Sequence, residues 1–159
     1  MDDIYRINLA KTEFREAYEA GDVDRLLSVF GSGGFTDMSD GGPSKYGEEA
    51  KARLRENAAN LFSEYSVKLN VIVIDIVVQK DSAYDYGWHE FILKPKSGGE
   101  AIRNRHRYFE LWSKGAPGVW TISFFINNPD VREELNGCVS RWFMSEEIAS
   151  EAKVAAEKG

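Results

Sequence analysis

Val67-Lys68-Leu69-Asn70-Val71-Ile72-Val73-Ile74-Asp75-Ile76-Val77-Val78 is a long, β-branched run, and Ala83-Tyr84-Asp85-Tyr86-Gly87-Trp88-His89-Glu90-Phe91-Ile92-Leu93 follows it closely. Both have strand composition, and two more stretches of the same texture come after them, Ala101 to Trp112 and Val119 to Asn127. Asp81-Ser82, Lys96-Ser97-Gly98-Gly99 and Gly115-Ala116-Pro117-Gly118 separate the four. Each connection is too short for a helical crossover, so the strands must run antiparallel as a meander. In the last strand, simple alternation puts Trp120, Ile122, Phe124 and Ile126 on one face. Thr121, Ser123, Phe125 and Asn127 then take the other.

Upstream of the strands the periodicity becomes helical. Ile4, Ile7, Ala10, Phe14, Ala17 and Tyr18 recur at three- and four-residue steps, the spacing of one helix face. Gly21 suits a helix stop, and Asp22 suits the N-cap of a short second helix striped by Val23, Leu26, Leu27 and Phe30. Six glycines between Gly31 and Gly47 predict turns around a short strand at Phe35 to Ser39. A phosphate-binding loop is excluded there because no Gly-Lys-Ser/Thr ending follows at the required spacing. A third helix carries Ala50, Leu54, Ala58, Leu61, Phe62 and Tyr65 on its apolar side. Helices followed by a run of long strands predict an α+β domain over residues 1–130. The remaining 131–159 read as a C-terminal helical extension, with Ser145 capping a helix to Ala156 and Trp142 and Phe143 before it.

Composition narrows the function classes. The 159 residues suffice for one domain, and 13% are aromatic, enough to fill a core and line a pocket. A net charge of −6 argues against nucleic acid as a partner, because phosphate neutralisation needs a basic field. Cys138 is the only cysteine, which rules out an intrachain disulfide and fits a reducing, cytoplasmic setting. The acidic start Met1-Asp2-Asp3-Ile4 lacks signal-peptide character. No apolar run is long enough to cross a bilayer, so no membrane association is expected.

The order of elements, with several local phrases, resembles the nuclear transport factor 2-like superfamily in its polyketide-cyclase-like and ketosteroid-isomerase-like branch. The phrases are Glu19-Ala20-Gly21-Asp22-Val23-Asp24, Tyr46-Gly47-Glu48-Glu49-Ala50, Arg107-Tyr108-Phe109-Glu110-Leu111-Trp112 and Gly118-Val119-Trp120-Thr121-Ile122. The resemblance spans residues 5 to 128. It implies a cone-shaped fold, three helices packed on a curved antiparallel sheet around a pocket, and a homodimer. Aligned from Gly21-Asp22, the isomerase tyrosine position falls on Phe14, the base position on Met38 and the second aspartate near Arg107. Phe and Met cannot move the required proton, so steroid isomerisation is not expected. Asp37 flanks the base position and becomes a candidate catalytic base if strand parity turns it inward.

Two histidines, His89 and His106, lie on neighbouring strands. With Glu90 they fall short of a metal site, because spacing places no third donor, and neither a metal nor a cofactor is expected. His89 is instead a candidate acid or base in the pocket. Arg103, Arg105 and Arg107 alternate on one face; they read as a salt-bridged sheet face, or else Arg105 grips an anionic ligand group. The expected pocket lining is Phe14, Tyr18, Met38, Tyr86 or Trp88, and one of His89 or Arg105. Large apolar side chains fall on both sheet faces while three helices can cover only one, which predicts a homodimer through the open face. The leading functional expectation is a binder of a small apolar metabolite. The alternatives are a cyclase, isomerase or dehydratase using Asp37 or His89, and a non-enzymatic association module with a filled cavity.

Overall fold

The computed structural model describes residues 2–39 and 42–130; the expected C-terminal helix lies outside them. Helix α1, Asp3–Ala20, begins where the Asp2 side chain accepts from the Ile4 amide. It ends at Gly21, whose φ of 67° is left-handed backbone that a glycine adopts without a Cβ penalty. Helix α2, Val23–Ser28, is capped by Asp22, which accepts from the Arg25 amide at 3.0 Å. Strands β1, Phe35–Asp37, and β2, Lys45–Tyr46, lead into α3, Gly47–Glu64. The meander follows: β3 Tyr65–Gln79, β4 Ser82–Pro95, β5 Ile102–Lys114 and β6 Trp120–Pro129.

The six strands of the described residues join one sheet in the order β2-β1-β6-β5-β4-β3. The four long strands pair antiparallel in sequence, and β1 adds parallel to β6 through Thr36↔Phe124 and Asp37↔Phe125. The two-residue β2, which no periodicity could signal, closes that edge against β1. The helical stripes meet the inner face of the sheet: Ile7, Phe14 and Ala17 of α1, Leu26 and Leu27 of α2, and Ala50, Ala58 and Phe62 of α3 are buried. Their counterparts on the sheet include Val67, Leu69, Trp112, Trp120 and Ile122. Tyr65 starts β3 rather than extending the third helix.

Two bulges curve the sheet and reset which side chains face in. In β3, Val73 pairs with Gly87 but Asp75 with Tyr86, leaving Ile74 extra. Gly87 lets β3 approach there, since a Cβ on it would sit 1.9 Å from the Ile72 carbonyl oxygen. In β6, Trp112 pairs with Ile122 but Leu111 with Phe124, leaving Ser123 extra. This corrects the simple alternation expected for the last strand. Trp120 and Ile122 face inward before the bulge, and Phe125 and Asn127 face inward after it. Phe124 and Ile126 go to the outer face, beside Leu111 and Phe109.

Candidate functional site

Between α1, α3, β1 and β6 lies a cavity of about 400 Å³. Its walls are aromatic, with Phe14 and Tyr18 from α1, Phe30, Phe35, and Phe125 from β6. The rings interlock: Tyr18 meets Phe14 edge-on at 5.0 Å, and Phe30 packs on Phe35 at 4.4 Å. The rim includes the exposed Pro43 and Asn57.

Among the described lining residues one carboxylate enters this space. Parity in β1 turns Phe35 and Asp37 inward and leaves Met38 outward, 38% exposed. The expected base position on Met38 is therefore out by one residue, and the inward group is Asp37. The second aligned position needs the same correction: Arg107 is exposed on the outer face, and the inward neighbours are His106 and Tyr108. Asp37 is fully engaged. Arg53 of α3 donates to its Oδ2 at 2.5 Å, and the Ser39 amide and hydroxyl donate to its Oδ1 at 2.9 and 2.5 Å. Arg53 also donates to the Pro43 carbonyl, which fixes the guanidinium across the rim.

Deeper in the cone lies a cluster that the sequence reading did not single out. Lys11, only 5% exposed, places Nζ 2.6 Å from Asp85 Oδ2 and 2.6 Å from Glu110 Oε2. Asp85 also accepts from the Tyr108 hydroxyl and the Trp112 indole, each at 2.8 Å. One cation faces two buried carboxyl groups, and the imbalance falls on Glu110. Burial, aided by the Asp85 charge and hydrogen bond and opposed by Lys11, pushes its carboxyl up to about 8. Burial and the same two carboxylates push the Tyr108 hydroxyl far up, so it stays a donor. Tyr18 is likewise held protonated by burial and by the charges of Asp37 and Glu110. A signal for the cluster existed. Lys11 lies one helical turn from Ile7 on the apolar stripe, and Asp85 and Glu110 share the parity of the inward residues Ala83 and His89 of β4 and Tyr108 and Trp112 of β5.

His89 and His106 pair directly across β4 and β5, and both face inward. His89 is 1% exposed, stacked on Tyr108 at 4.1 Å and on Phe14 at 5.3 Å. Burial, with Lys11 and His106 nearby, holds it well below the usual imidazole range, so it is neutral at pH 7. It lies behind the Phe14 and Phe125 walls rather than on the open cavity surface. Among the described residues no group of three or more His, Cys, Asp or Glu side chains is placed to hold a metal.

Tyr86, Trp88 and Arg105 are corrected as pocket residues, because they stand on the outer face of the sheet, opposite in parity to His89. There the Arg105 guanidinium covers the Trp88 ring at 4.6 Å and reaches Glu90 at 3.3 Å, the salt-bridged alternative. Of the expected lining, Phe14 and Tyr18 are at the cavity, joined by Asp37; Met38 is not.

Three helices on the inner face of a curved six-stranded sheet, enclosing an aromatic cavity, make this a nuclear transport factor 2-like, ketosteroid-isomerase-like fold. Solved structures that share it include a ketosteroid isomerase-like protein from Erwinia carotovora atroseptica, with a TM-score of 0.68 at 17% identity over 82% of this chain and 98% of that one. A conserved protein from Planctomyces limnophilus matches with a TM-score of 0.68 at 18% identity, over 80% and 98% of the two chains. A nuclear transport factor 2-like protein of unknown function from Shewanella oneidensis matches with 0.61 at 17%, over 78% and 97%. No protein-family model matches the chain, and no curated protein matches it. Among the described residues no helix is long and apolar enough to cross a membrane.

Proposed function

We propose that the chain binds a small, largely apolar organic molecule in its cone. The observation that carries this reading is the cavity of about 400 Å³, walled by five aromatic rings, with the fixed Asp37–Arg53 pair, Lys45 and Asn127 among its polar lining. Ligand sites are typically built this way, an apolar concavity with few, well-placed polar groups. Proton transfer by Asp37, as in an isomerase, cyclase or dehydratase, is less well supported, because Arg53 and Ser39 already occupy both carboxylate oxygens. A filled association module is disfavoured by the cavity itself. The test is titration with the neutral fluorophore 1-aminoanthracene. Saturable one-site binding is expected, and Asn57→Trp at the exposed rim should weaken it by about tenfold while changing stability by no more than about 0.5 kcal/mol. Absence of saturable binding to the parent protein would overturn the reading.

A second reading concerns assembly, and the outer sheet face favours it. Ile72, Tyr86 and Leu111 are 37%, 37% and 39% exposed there. Around them stand Tyr84, Phe109 and Phe124, in adjoining registers of β4, β5 and β6. We infer a homodimer through this face, since no helix among the described residues covers it and a second copy would bury the rings. Sedimentation at micromolar concentration should give about twice 18.0 kDa. Leu111→Arg should give a folded monomer. A parent protein that stays monomeric on concentration excludes the dimer.

A further inference from the structure

His89 stands out among the interior polar groups of the cone. Asp85 has three donors, Lys11 and Glu110 hold each other, and Asp37 is engaged by Arg53 and Ser39. The imidazole is 1% exposed, yet neither ring nitrogen has a hydrogen-bond partner. A folded chain satisfies nearly all its buried polar groups, and an exception at the wall of a cavity points to a ligand. Location strengthens this. The ring stacks on Phe14 at 5.3 Å and on Phe125 at 6.2 Å, and both of those side chains are cavity wall. The imidazole is thus one ring's depth behind the cavity. Glu110 lies alongside: its Oε2 is held by Lys11, while its Oε1 is 3.9 Å from His89 Nε2.

We propose that His89 and Glu110 Oε1 form a polar subsite at the inner end of the cavity, opened when the Phe14 or Phe125 ring turns aside, which takes the uncharged hydroxyl or carbonyl group of a flat aromatic ligand. The inference rests on the ligand-binding reading above and names the chemistry of the ligand. Three features select that chemistry. A neutral imidazole offers one donor and one acceptor, which a hydroxyl complements fully and a carbonyl in part. The charges around it already balance: Lys11 answers Asp85, and the Glu110 carboxyl keeps its proton near neutral pH. A charged ligand group would therefore lose its hydration without gaining a counter-ion. The Tyr108, His89 and Phe14 rings, with interplanar angles of 11° and 30°, form a stack beside which a flat ring fits better than a branched chain.

The experiment compares matched probes by displacement of 1-aminoanthracene: naphthalene, 2-naphthol and 2-naphthoate. The parent protein should bind 2-naphthol at least about tenfold more tightly than naphthalene, and 2-naphthoate no more tightly than naphthalene. His89→Phe keeps an aromatic ring and removes both nitrogens. It should reduce the naphthol preference to under about threefold while leaving naphthalene affinity in place. In the parent protein the imidazole nitrogen resonances of His89 should shift with 2-naphthol and stay put with naphthalene, a readout that needs no variant. Equal affinity for naphthalene and 2-naphthol, or a preference that survives His89→Phe, overturns the subsite while the cavity reading stands. Failure of every probe to displace the fluorophore overturns the subsite, whereas absence of saturable fluorophore binding to the parent protein overturns the cavity reading and the subsite with it.

Discussion

Replacing Lys11 with Met should destabilise the fold by about 3–5 kcal/mol, a large part of the stability of a domain this size. Met matches the length of the Lys stem and keeps its packing, so the loss is electrostatic rather than a cavity effect. Asp85 and Glu110 are 0% and 1% exposed, and without Lys11 Nζ at 2.6 Å the negative charge that Asp85 carries at pH 7 beside the protonated Glu110 has no cation next to it. Tyr108 and Trp112 still donate to Asp85 but supply no charge. Urea unfolding at pH 7 measures the loss. A contrasting pair serves as control: Arg55 and Asp24 meet at 2.7 Å with side chains 56% and 82% exposed. Arg55→Met should therefore cost no more than about 0.5 kcal/mol. The triple change Lys11→Met, Asp85→Asn, Glu110→Gln should recover much of the Lys11→Met loss, since it removes the buried charge along with its partner. A Lys11→Met loss no larger than that of Arg55→Met would show that the cluster does not depend on its cation.

The helices and the meander were legible because each rests on a pattern that burial enforces over many residues. Ile7, Phe14 and Ala17 recur at helical spacing and are buried, and the Gly21-Asp22 junction ends one helix and caps the next. What could not be read was anything decided by a single inserted residue. Ser123 is the extra residue of a bulge, and nothing in Thr121-Ile122-Ser123-Phe124-Phe125 distinguishes it from a regular strand. Its presence moves Phe125 to the cavity and Phe124 to the outer face. In β1, which has three residues, a one-residue slip in alignment exchanged Met38 for Asp37, and too few positions alternate there to correct it. Strand parity, by contrast, is legible in β4. Residues 86 and 88 have opposite parity to residue 89, so an inward His89 already excludes Tyr86 and Trp88 from the pocket. A lysine on an apolar stripe, as Lys11 is, ordinarily snorkels to solvent. Its burial requires Asp85 and Glu110 from two distant strands, a condition visible only once the register is known.

The same cluster sets how stability depends on pH. Glu110 has its folded-state value raised from 4.5 to about 8, so its contribution is fully present below pH 4.5 and is lost as pH rises toward 8. His89 runs the other way. Its folded value lies well below 6.5, so its contribution is present above pH 6.5 and is lost as pH falls. Between pH 4.5 and 6.5 the folded state holds the extra proton on Glu110 and the unfolded state holds it on His89, and the two slopes oppose each other. The parent protein should therefore show nearly constant stability from about pH 5 to 6.5 and then lose about 2 kcal/mol by pH 8, one proton over one and a half pH units. Each variant should expose the other group. Glu110→Gln removes the loss above pH 6.5 and leaves stability rising from pH 5 to 6.5. His89→Phe removes the opposing slope, so stability falls continuously from pH 5 to 8 by about 4 kcal/mol. Arg25 with Glu13, and Lys114 with Asp3, do not disturb this window, because both carboxylates are held below their usual range and titrate in more acid solution. Urea unfolding of the three proteins across pH 5 to 8.5 gives the slopes directly. If Glu110→Gln keeps the parent's fall between pH 6.5 and 8, the proton is held elsewhere, and Glu110 is an ordinary ionised partner of Lys11.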